Sequence, residues 1–192
     1  MAFQFIAVGA SLGGLKALTT VLGGLQKDFP LPIAVVQHRS HEDSESLASL
    51  LGTRTQLPVV EVDDKETIRE GHVYICPSNY HLAVEGNYFA LSADAPVLCA
   101  RPSIDVLFES AAESFRDSVI GVLLTGMSKD GTAGLKRIKE VGGYAVVQDP
   151  FAAEGQVMPQ AAIDSVAVDK ILPLEDIACF LATLCAGQRT EV

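Results

Sequence analysis

Short apolar runs rich in β-branched residues alternate along this chain with stretches in which apolar residues recur at helical spacing. This alternation predicts βαβ units around a mainly parallel sheet, and therefore an α/β fold of the doubly wound, Rossmann-like class. Strands are predicted at residues 5–8, 33–37, 119–124 and 144–148. Helices are predicted up to about residue 23, and at about 44–51, 104–115, 132–141 and 174–184.

The middle of the chain has a different pattern, with four short strands predicted at residues 59–62, 72–75, 81–84 and 88–91. The last two are joined across Glu85-Gly86-Asn87, a sequence typical of a tight turn. The simplest prediction is a β-hairpin insertion, placed near residues 72–91. Ser103 then precedes the next helical pattern and is predicted to cap that helix.

Length and composition predict one globular domain. The chain has 192 residues, of which 48% are hydrophobic and 20% charged, and no linker or low-complexity segment interrupts it. We therefore predict a single domain over residues 1–186, followed by a frayed tail at 187–192.

Net charge and cysteine spacing argue against several classes of partner. The formal net charge of −10 disfavours a nucleic-acid surface, because phosphate binding depends on clustered Lys and Arg. The four cysteines form no C-x-x-C pair and no Cys/His cluster of zinc-finger spacing, so we predict buried free thiols and neither a structural metal nor a redox motif. The chain has no signal-peptide pattern and no apolar run of about 20 residues. These features predict a cytoplasmic protein that is not integral to a membrane.

Gly9-Ala10-Ser11-Leu12-Gly13 lies between the first predicted strand and helix and satisfies G-x-S-x-G. Such a turn lifts the serine hydroxyl clear of the backbone and leaves helix N-terminal amides near a developing oxyanion. Ser11 is therefore a candidate nucleophile. A glycine-rich first turn is equally typical of an anion-binding or purely structural turn, and this segment alone does not separate these interpretations.

Two further candidates follow other predicted strands. His38 comes directly after residues 33–37, and Asp130 follows the apolar run at residues 119–124. Because the carboxyl ends of parallel strands meet at one edge of a sheet, both are expected near Ser11. Either also has a simpler interpretation: His38 as a surface histidine on a loop, and Asp130 as a turn residue before Gly131 or a helix cap.

Five ordered segments together resemble the catalytic domain of chemotaxis protein-glutamate methylesterases, the CheB family, over nearly the whole chain. The segments are Gly9-Ala10-Ser11 with Gly13-Gly14, Gln37-His38, Arg101-Pro102-Ser103-Ile104-Asp105-Val106-Leu107-Phe108, Leu123-Leu124-Thr125-Gly126-Met127 with Asp130-Gly131, and Gly155 with Met158-Pro159-Gln160-Ala161-Ala162-Ile163. The resemblance implies a Ser-His-Asp catalytic triad without a cofactor or metal. In it Ser11 is the nucleophile, His38 the general base and then acid, and Asp130 the residue that orients His38.

The resemblance also implies residues around the triad. Met127 contributes its backbone N–H to the oxyanion hole, and Arg101 lies on the substrate side. Leu12 occupies a position where the family commonly has a small hydroxyl residue, so any side-chain help from that position is absent. Family members often carry an N-terminal receiver domain, whereas here the first strand begins near Phe5. We therefore expect a stand-alone form without phosphorylation in cis.

The implied reaction is hydrolysis of glutamyl γ-methyl esters on a chemoreceptor, with release of methanol, in chemotaxis adaptation. Some family members also deamidate receptor glutamine. The implied partners are the helical cytoplasmic bundle of a methyl-accepting chemoreceptor and a separate regulatory receiver protein. Two alternatives remain open from the residues: a hydrolase with the same triad acting on another ester or amide, and a non-catalytic binding module on the same fold.

Overall fold

Strands and helices alternate through the residues that the computed structural model describes, 2–39 and 46–186. The strands are β1 (Phe5–Ala10), β2 (Ile33–Gln37), β3 (Val59–Glu61), β4 (Val73–Ile75), β5 (His81–Glu85), β6 (Tyr88–Ser92), β7 (Val119–Leu123), β8 (Tyr144–Gln148) and β9 (Lys170–Leu172). The helices are α1 (Gly14–Gly23), α2 (Leu47–Gly52), α3 (Ile104–Phe115), α4 (Thr132–Glu140), α5 (Val157–Ser165) and α6 (Leu174–Ala186). Short 3₁₀ turns cover Arg116–Ser118 and Pro150–Ala152.

The strands of the main sheet are all parallel, in the order β3-β4-β2-β1-β7-β8-β9 within the described residues. Every residue of the central strands β1 and β7 is buried. This confirms the prediction of a doubly wound, mainly parallel α/β fold. From β1 the chain adds strands on one side of the sheet, and from β7 it adds them on the other side. The crevice between β1 and β7 is therefore the topological switch point, where doubly wound sheets form their ligand sites.

Two apolar layers cover the sheet because side chains of successive strand residues point to opposite faces. Ile6 and Val8 of β1 belong to a cluster completed by α1, α2 and α6. Phe5 and Ala7 belong to the opposite cluster, which includes α3, α4, α5 and the β5/β6 hairpin. The sheet is thus buried on both faces, which explains the nearly continuous apolar sequence of its central strands.

The predicted hairpin is present but smaller than expected. Of the four strands in this segment, β5 and β6 form the antiparallel pair, joined at Gly86. The prediction was wrong for the preceding strands, because β4 pairs with β2 and β3 in the main parallel sheet. The hairpin lies on α3, where Ser110 Oγ accepts a hydrogen bond from the Val84 N–H at 3.0 Å.

Some local predictions need further correction. Neither β9, an edge strand of three residues, nor α5 was predicted from the sequence pattern. The expectation of buried thiols is wrong for Cys99 and Cys179, which are exposed, and right for Cys76 and Cys185. The first residues of the helix predicted at 44–51, and the tail predicted at 187–192, lie outside the described residues.

Candidate active site

Ser11 occupies the tight turn between β1 and α1 that its glycine neighbours predicted. Its N–H donates to the Thr125 carbonyl at 2.9 Å, and its own carbonyl accepts from Gly14 N–H at 2.8 Å. Gly13 takes a positive φ of 76°, and a Cβ there would lie 2.7 Å from Glu154 Cβ. Both the backbone conformation and the close approach therefore require glycine at this position.

His38 lies beside Ser11 because both residues follow a paired position on adjacent strands. Ala10 and Gln37 are partners in the β1/β2 register, and His38 N–H donates to the Ala10 carbonyl at 3.0 Å. The backbones of Ser11 and His38 are therefore about 5 Å apart, the spacing of neighbouring strands. The structure thus places the predicted nucleophile and base side by side at the carboxyl edge of the sheet.

The Gln37 side chain connects these two backbones. Its amide Nε2 donates to the carbonyl oxygens of both Ser11 and His38, at 2.8 Å each. Gly14 leaves room for this amide, since a Cβ there would lie 1.9 Å from Gln37 Oε1. Sequence reasoning assigned no role to this glutamine, which holds the Ser11 turn and the His38 loop together.

His38 and Asp130 form a close pair, with 2.7 Å between His38 Nε2 and Asp130 Oδ2. The histidine side chain is 16% exposed and the aspartate is fully buried. Because Nε2 faces the carboxylate, Nδ1 is the ring nitrogen that remains for a proton from a neighbouring hydroxyl. A buried carboxylate in this position fixes the tautomer of the imidazole and stabilises its protonated form.

Asp130 also caps α3, the helix that Ser103 was predicted to cap. Its Oδ2 accepts from Ile104 N–H at 2.7 Å, and its Oδ1 accepts from Asp105 N–H at 3.0 Å. Ser103 occupies the N-cap position, but its hydroxyl donates to Asp130 Oδ1 at 2.8 Å and does not cap the helix itself. The prediction was therefore right about the residue's place and wrong about the capping group.

These contacts set the ionisation of Asp130. Burial by itself favours the neutral acid and would raise the pKa, but hydrogen bonds from His38, Ile104 and Asp105 outweigh it. The pKa of Asp130 consequently lies below its usual value of 3.8. The positive end of the α3 dipole acts in the same direction. The carboxylate that faces His38 is thus held ionised.

Asp105 makes the reciprocal contact and caps α4. Its Oδ1 accepts from Gly131 N–H at 2.9 Å and from Gly134 N–H at 2.7 Å. Asp130 thus caps the helix that carries Asp105, and Asp105 caps the helix that follows Asp130. Burial, together with the neighbouring charge of Asp130, raises the pKa of Asp105 to about 6. Asp105 belongs to one of the segments that resemble the family, but the sequence pattern indicated no role for it.

His81 is buried behind this network and is not part of the reactive surface. Its Nδ1 accepts from Ser103 N–H at 3.2 Å, so Nε2 carries the hydrogen and donates to the Ala95 carbonyl at 3.2 Å. The residue therefore anchors the chain just before α3.

The loop after β7 is fixed next to Ser11 by the segment before α5. Gly126 N–H donates to the Gly155 carbonyl at 2.9 Å, and Met158 N–H donates to the Gly126 carbonyl at 3.0 Å. A Cβ at Gly155 would lie 2.7 Å from the Gly126 backbone, and one at Gly126 would lie 2.9 Å from Ser11 Cβ. Two glycines therefore allow this loop to approach the serine closely. Sequence reasoning did not place the segment that contains Gly155.

Leu12 and Met127 follow Ser11 and Gly126 and extend into solvent, with side chains 49% and 56% exposed. Among the described residues, neither backbone N–H donates a hydrogen bond. Neither N–H is thus engaged within the described residues, and a role for either one in an oxyanion hole stays a prediction.

Arg101 and His38 line one cavity at the surface, but the Arg101 guanidinium donates its hydrogen bonds to the protein itself. Nε donates to Asn79 Oδ1 at 2.9 Å, and Nη1 donates to the carbonyls of Ala93 and Asp94 at 2.9 and 3.0 Å. Nη2 also donates to Asn79. The observed role of Arg101 is to hold these two loops, and a substrate-side role stays a prediction.

Within the described residues, no cluster of three or more His, Cys, Asp or Glu side chains is arranged to hold a metal ion. In the same part of the chain, no helix has the length and apolar character needed to cross a membrane.

A doubly wound sheet with a serine on its first turn, near a histidine paired to a buried aspartate, is an arrangement typical of serine hydrolases. The sequence profile of the family described as CheB methylesterase matches residues 6–181. The chain belongs to this family.

Known relatives agree with this assignment. A protein from Leptospira interrogans is 45% identical over 179 residues, which cover 93% of each chain. "Protein-glutamate methylesterase/protein-glutamine glutaminase 2" from Anaeromyxobacter dehalogenans is 42% identical over 174 residues, covering 91% of this chain and 51% of that protein. The crystal structure of the Thermotoga maritima CheB methylesterase catalytic domain superposes with a TM-score of 0.91 at 34% identity, covering 96% of this chain and all of that one.

Proposed function

We propose that this chain is a protein-glutamate methylesterase that hydrolyses glutamyl γ-methyl esters on chemoreceptors and releases methanol. The observation that carries the proposal is the 2.7 Å contact between His38 Nε2 and the buried Asp130 carboxylate, beside Ser11. Family membership supports the ester, because the relatives' names specify protein-glutamate methylesterase activity. No metal or cofactor takes part in the proposed reaction.

In the proposed mechanism, Ser11 Oγ attacks the ester carbonyl while its proton passes to His38 Nδ1. The tetrahedral oxyanion accepts hydrogen bonds from the backbone N–H groups of Leu12 and Met127. Protonated His38, stabilised by ionised Asp130, then gives the proton to the departing methoxide, and methanol leaves.

Water completes the cycle. His38 takes a proton from it, the hydroxide attacks the acyl-enzyme, and Ser11 regains its proton as free glutamate is released. The same path deamidates a glutamine side chain when ammonia replaces methanol as the leaving group. The name of the Anaeromyxobacter relative includes this second activity, so we include glutamine as a second substrate.

A chemoreceptor substrate implies where the enzyme works and with what. The proposed partner is the helical cytoplasmic bundle of a methyl-accepting receptor, and the proposed compartment is the cytoplasm. Control would come from a separate receiver protein.

The experiment that tests the proposal is methanol release from methylated chemoreceptor membranes by the purified protein. The wild type is expected to release methanol, and folded Ser11→Ala is expected to lose at least about 10³-fold in rate. Ser165→Ala, a change at an exposed serine at the end of α5, is the matched control and should retain the wild-type rate.

Two results would redirect the proposal. Wild-type protein that releases no methanol but cleaves other esters in a Ser11-dependent manner would be a hydrolase with a different substrate. Protein inactive on every ester would favour the binding module.

A further inference from the structure

A cavity of about 360 Å³ opens directly beside His38. Its wall includes two arginines, Arg39 and Arg101, together with Pro96 and Cys99. The volume is at the lower end of the range for small-ligand sites and suits a side chain better than a whole cofactor. Because His38 lies in both the cavity wall and the proposed catalytic machinery, a group held here is next to the reacting ester.

Arg39 is buried, and among the described residues its guanidinium has fewer acceptors than donors. Its side chain is only 10% exposed, and its Nε has no hydrogen-bond partner among the described residues. Among the described residues, the one carboxylate that pairs with Arg39 is that of Glu61. Its Oε2 lies 3.4 Å from Arg39 Nη2, and the Glu61 side chain is 44% exposed. The Arg39 charge is therefore only partly compensated, by one long contact to a half-exposed carboxylate, and a second carboxylate at the cavity wall would be favourable.

Arg101 adds a second positive charge and a rigid wall. Its three guanidinium nitrogens donate to neutral oxygens of Asn79, Ala93 and Asp94. No ion pair joins Arg101 to a carboxylate within the described residues. The cavity is therefore locally cationic in a chain whose formal net charge is −10.

We propose that this cavity binds an unesterified carboxylate side chain of the substrate protein, beside the glutamyl ester that Ser11 attacks. The inference rests on the proposed function and narrows its substrate class to esters in an acidic sequence context. A guanidinium fork matches a carboxylate in shape and charge, so Arg39 makes the direct contact and Arg101 fixes the wall. On a helical substrate, residues three or four positions from the ester lie on the same face, with Cβ atoms about 5–6 Å apart, so these positions are the candidates for the bound carboxylate.

Binding to the full-length Ser11→Ala variant tests this inference independently of turnover. The probes are labelled helical peptides with one glutamyl γ-methyl ester and a single glutamate three or four residues before or after it. Each is compared with a peptide in which glutamine replaces that glutamate. At least one glutamate peptide is expected to bind with a Kd about tenfold lower than its glutamine partner, as a charge-assisted hydrogen bond provides.

Substitution of Arg39 tests whether this residue is responsible for the preference for glutamate over glutamine peptides. In the Ser11→Ala background, Arg39→Gln should bring the Kd ratio of the two peptides close to 1, and Arg39→Lys should leave an intermediate ratio. Arg137→Gln, a change at an exposed arginine that pairs with Glu140 on α4, is the matched control and should keep the full ratio. The lysine variant keeps the positive charge and distinguishes lost recognition from lost folding.

Equal Kd values for every glutamate and glutamine pair in the Ser11→Ala protein would overturn the inference, as would a preference that survives Arg39→Gln. Methanol release from the same peptides by the wild type tests the proposed function separately. A glutamate preference in binding, together with no methanol release from these peptides or from methylated receptors, would uphold the carboxylate site and count against the methylesterase.

Discussion

The two ends of the loop after β7 lie in opposite environments. Asp130 is fully buried, and its two oxygens accept four hydrogen bonds, from His38, Ser103, Ile104 and Asp105. Met127, three residues earlier, is 56% exposed. The comparison teaches that the group which orients the histidine is built into the core, whereas the groups that would meet substrate are at the surface.

The same contrast extends to the neighbouring residues. Beneath the site is a buried polar layer, formed by Ser103, Asp105 and Asp130, which joins the N-termini of α3 and α4. Three exposed apolar residues, which we call the rim, follow strands at this same edge of the sheet: Leu12 after β1, Met127 after β7 and Phe151 after β8. We expect changes in the buried layer to alter both stability and catalysis, and changes in the rim to leave stability intact.

The largest effect is expected from Asp130→Asn, which breaks the buried layer at its centre. The neutral amide cannot hold the required tautomer of His38 or stabilise its protonated form, so kcat should fall on the order of 10⁴-fold. Thermal unfolding should also shift to lower temperature, because the α3 cap loses its charge. Steady-state kinetics on a small neutral ester and calorimetry measure the two effects.

Asp164→Asn is the control for that change, since Asp164 is an exposed aspartate on α5. It should keep wild-type kcat and thermal stability. Asp130→Asn protein with near wild-type kcat would show that the His38–Asp130 contact is structural and not catalytic.

Smaller effects are expected at Asp105, which acts on the site through Gly131 and Gly134. Asp105→Ala removes both hydrogen bonds and lets the Asp130 loop move, so kcat should fall about 10-fold to 10²-fold. Asp105→Asn keeps an acceptor oxygen and should retain most of the activity. Kinetics of the two variants side by side separate the loss of the hydrogen bonds from the loss of the charge.

The pH dependence of stability sharpens the contrast between the two buried aspartates. The folded-state pKa of Asp105, about 6, lies above its usual value of 3.8, so the folded protein binds this proton more tightly. The contribution of Asp105 to stability is therefore full below about pH 4 and is lost as pH rises to about 6. The effect of pH is opposite for Asp130, because its folded-state pKa is lowered. Its contribution to stability is complete above its usual pKa of 3.8 and is lost as the pH falls further into the acid range.

Urea unfolding between pH 4 and 7 measures this difference. Asp105→Asn should remove the loss of stability that the wild type shows between about pH 4 and 6. An unchanged pH profile in Asp105→Asn would contradict the assignment of this titration to Asp105.

The smallest effect is expected in the rim. Phe151 is 93% exposed, so Phe151→Ala should change the free energy of unfolding by no more than about 0.5 kcal/mol. Phe89, on β6, is fully buried with its ring centroid 4.8 Å from that of Tyr74, and Phe89→Ala should cost about 3–5 kcal/mol. Chemical denaturation measures both, and a destabilised Phe151→Ala would show that the rim has a structural role.

Sequence alone predicted the fold class and brought Ser11, His38 and Asp130 to one edge of the sheet. This worked because each residue follows an apolar strand, and parallel strands direct their carboxyl ends to a common crevice. The structure agrees in placing these residues together, and their catalytic roles stay predictions until activity is measured.

Other features had no local signal in the sequence. The three residues of β4 are too few to distinguish a parallel strand from part of a hairpin, and β9 is an edge strand with Lys170 and Ile171 exposed. The exchange of caps between Asp105 and Asp130 joins residues 25 positions apart, and the contact of Gly155 with Gly126 depends on how α5 approaches β7. Such pairings become visible only when the elements are packed together.

The most direct test of the central claim is mass spectrometry of the protein after reaction with a fluorophosphonate, which traps an activated serine hydroxyl. We predict one adduct, on Ser11, formed at a rate that falls sharply in Asp130→Asn and accompanied by loss of methanol release from methylated receptors. Methanol release that continues while Ser11 carries the adduct, or an adduct on another serine that abolishes it, would contradict the assignment of Ser11 as the nucleophile.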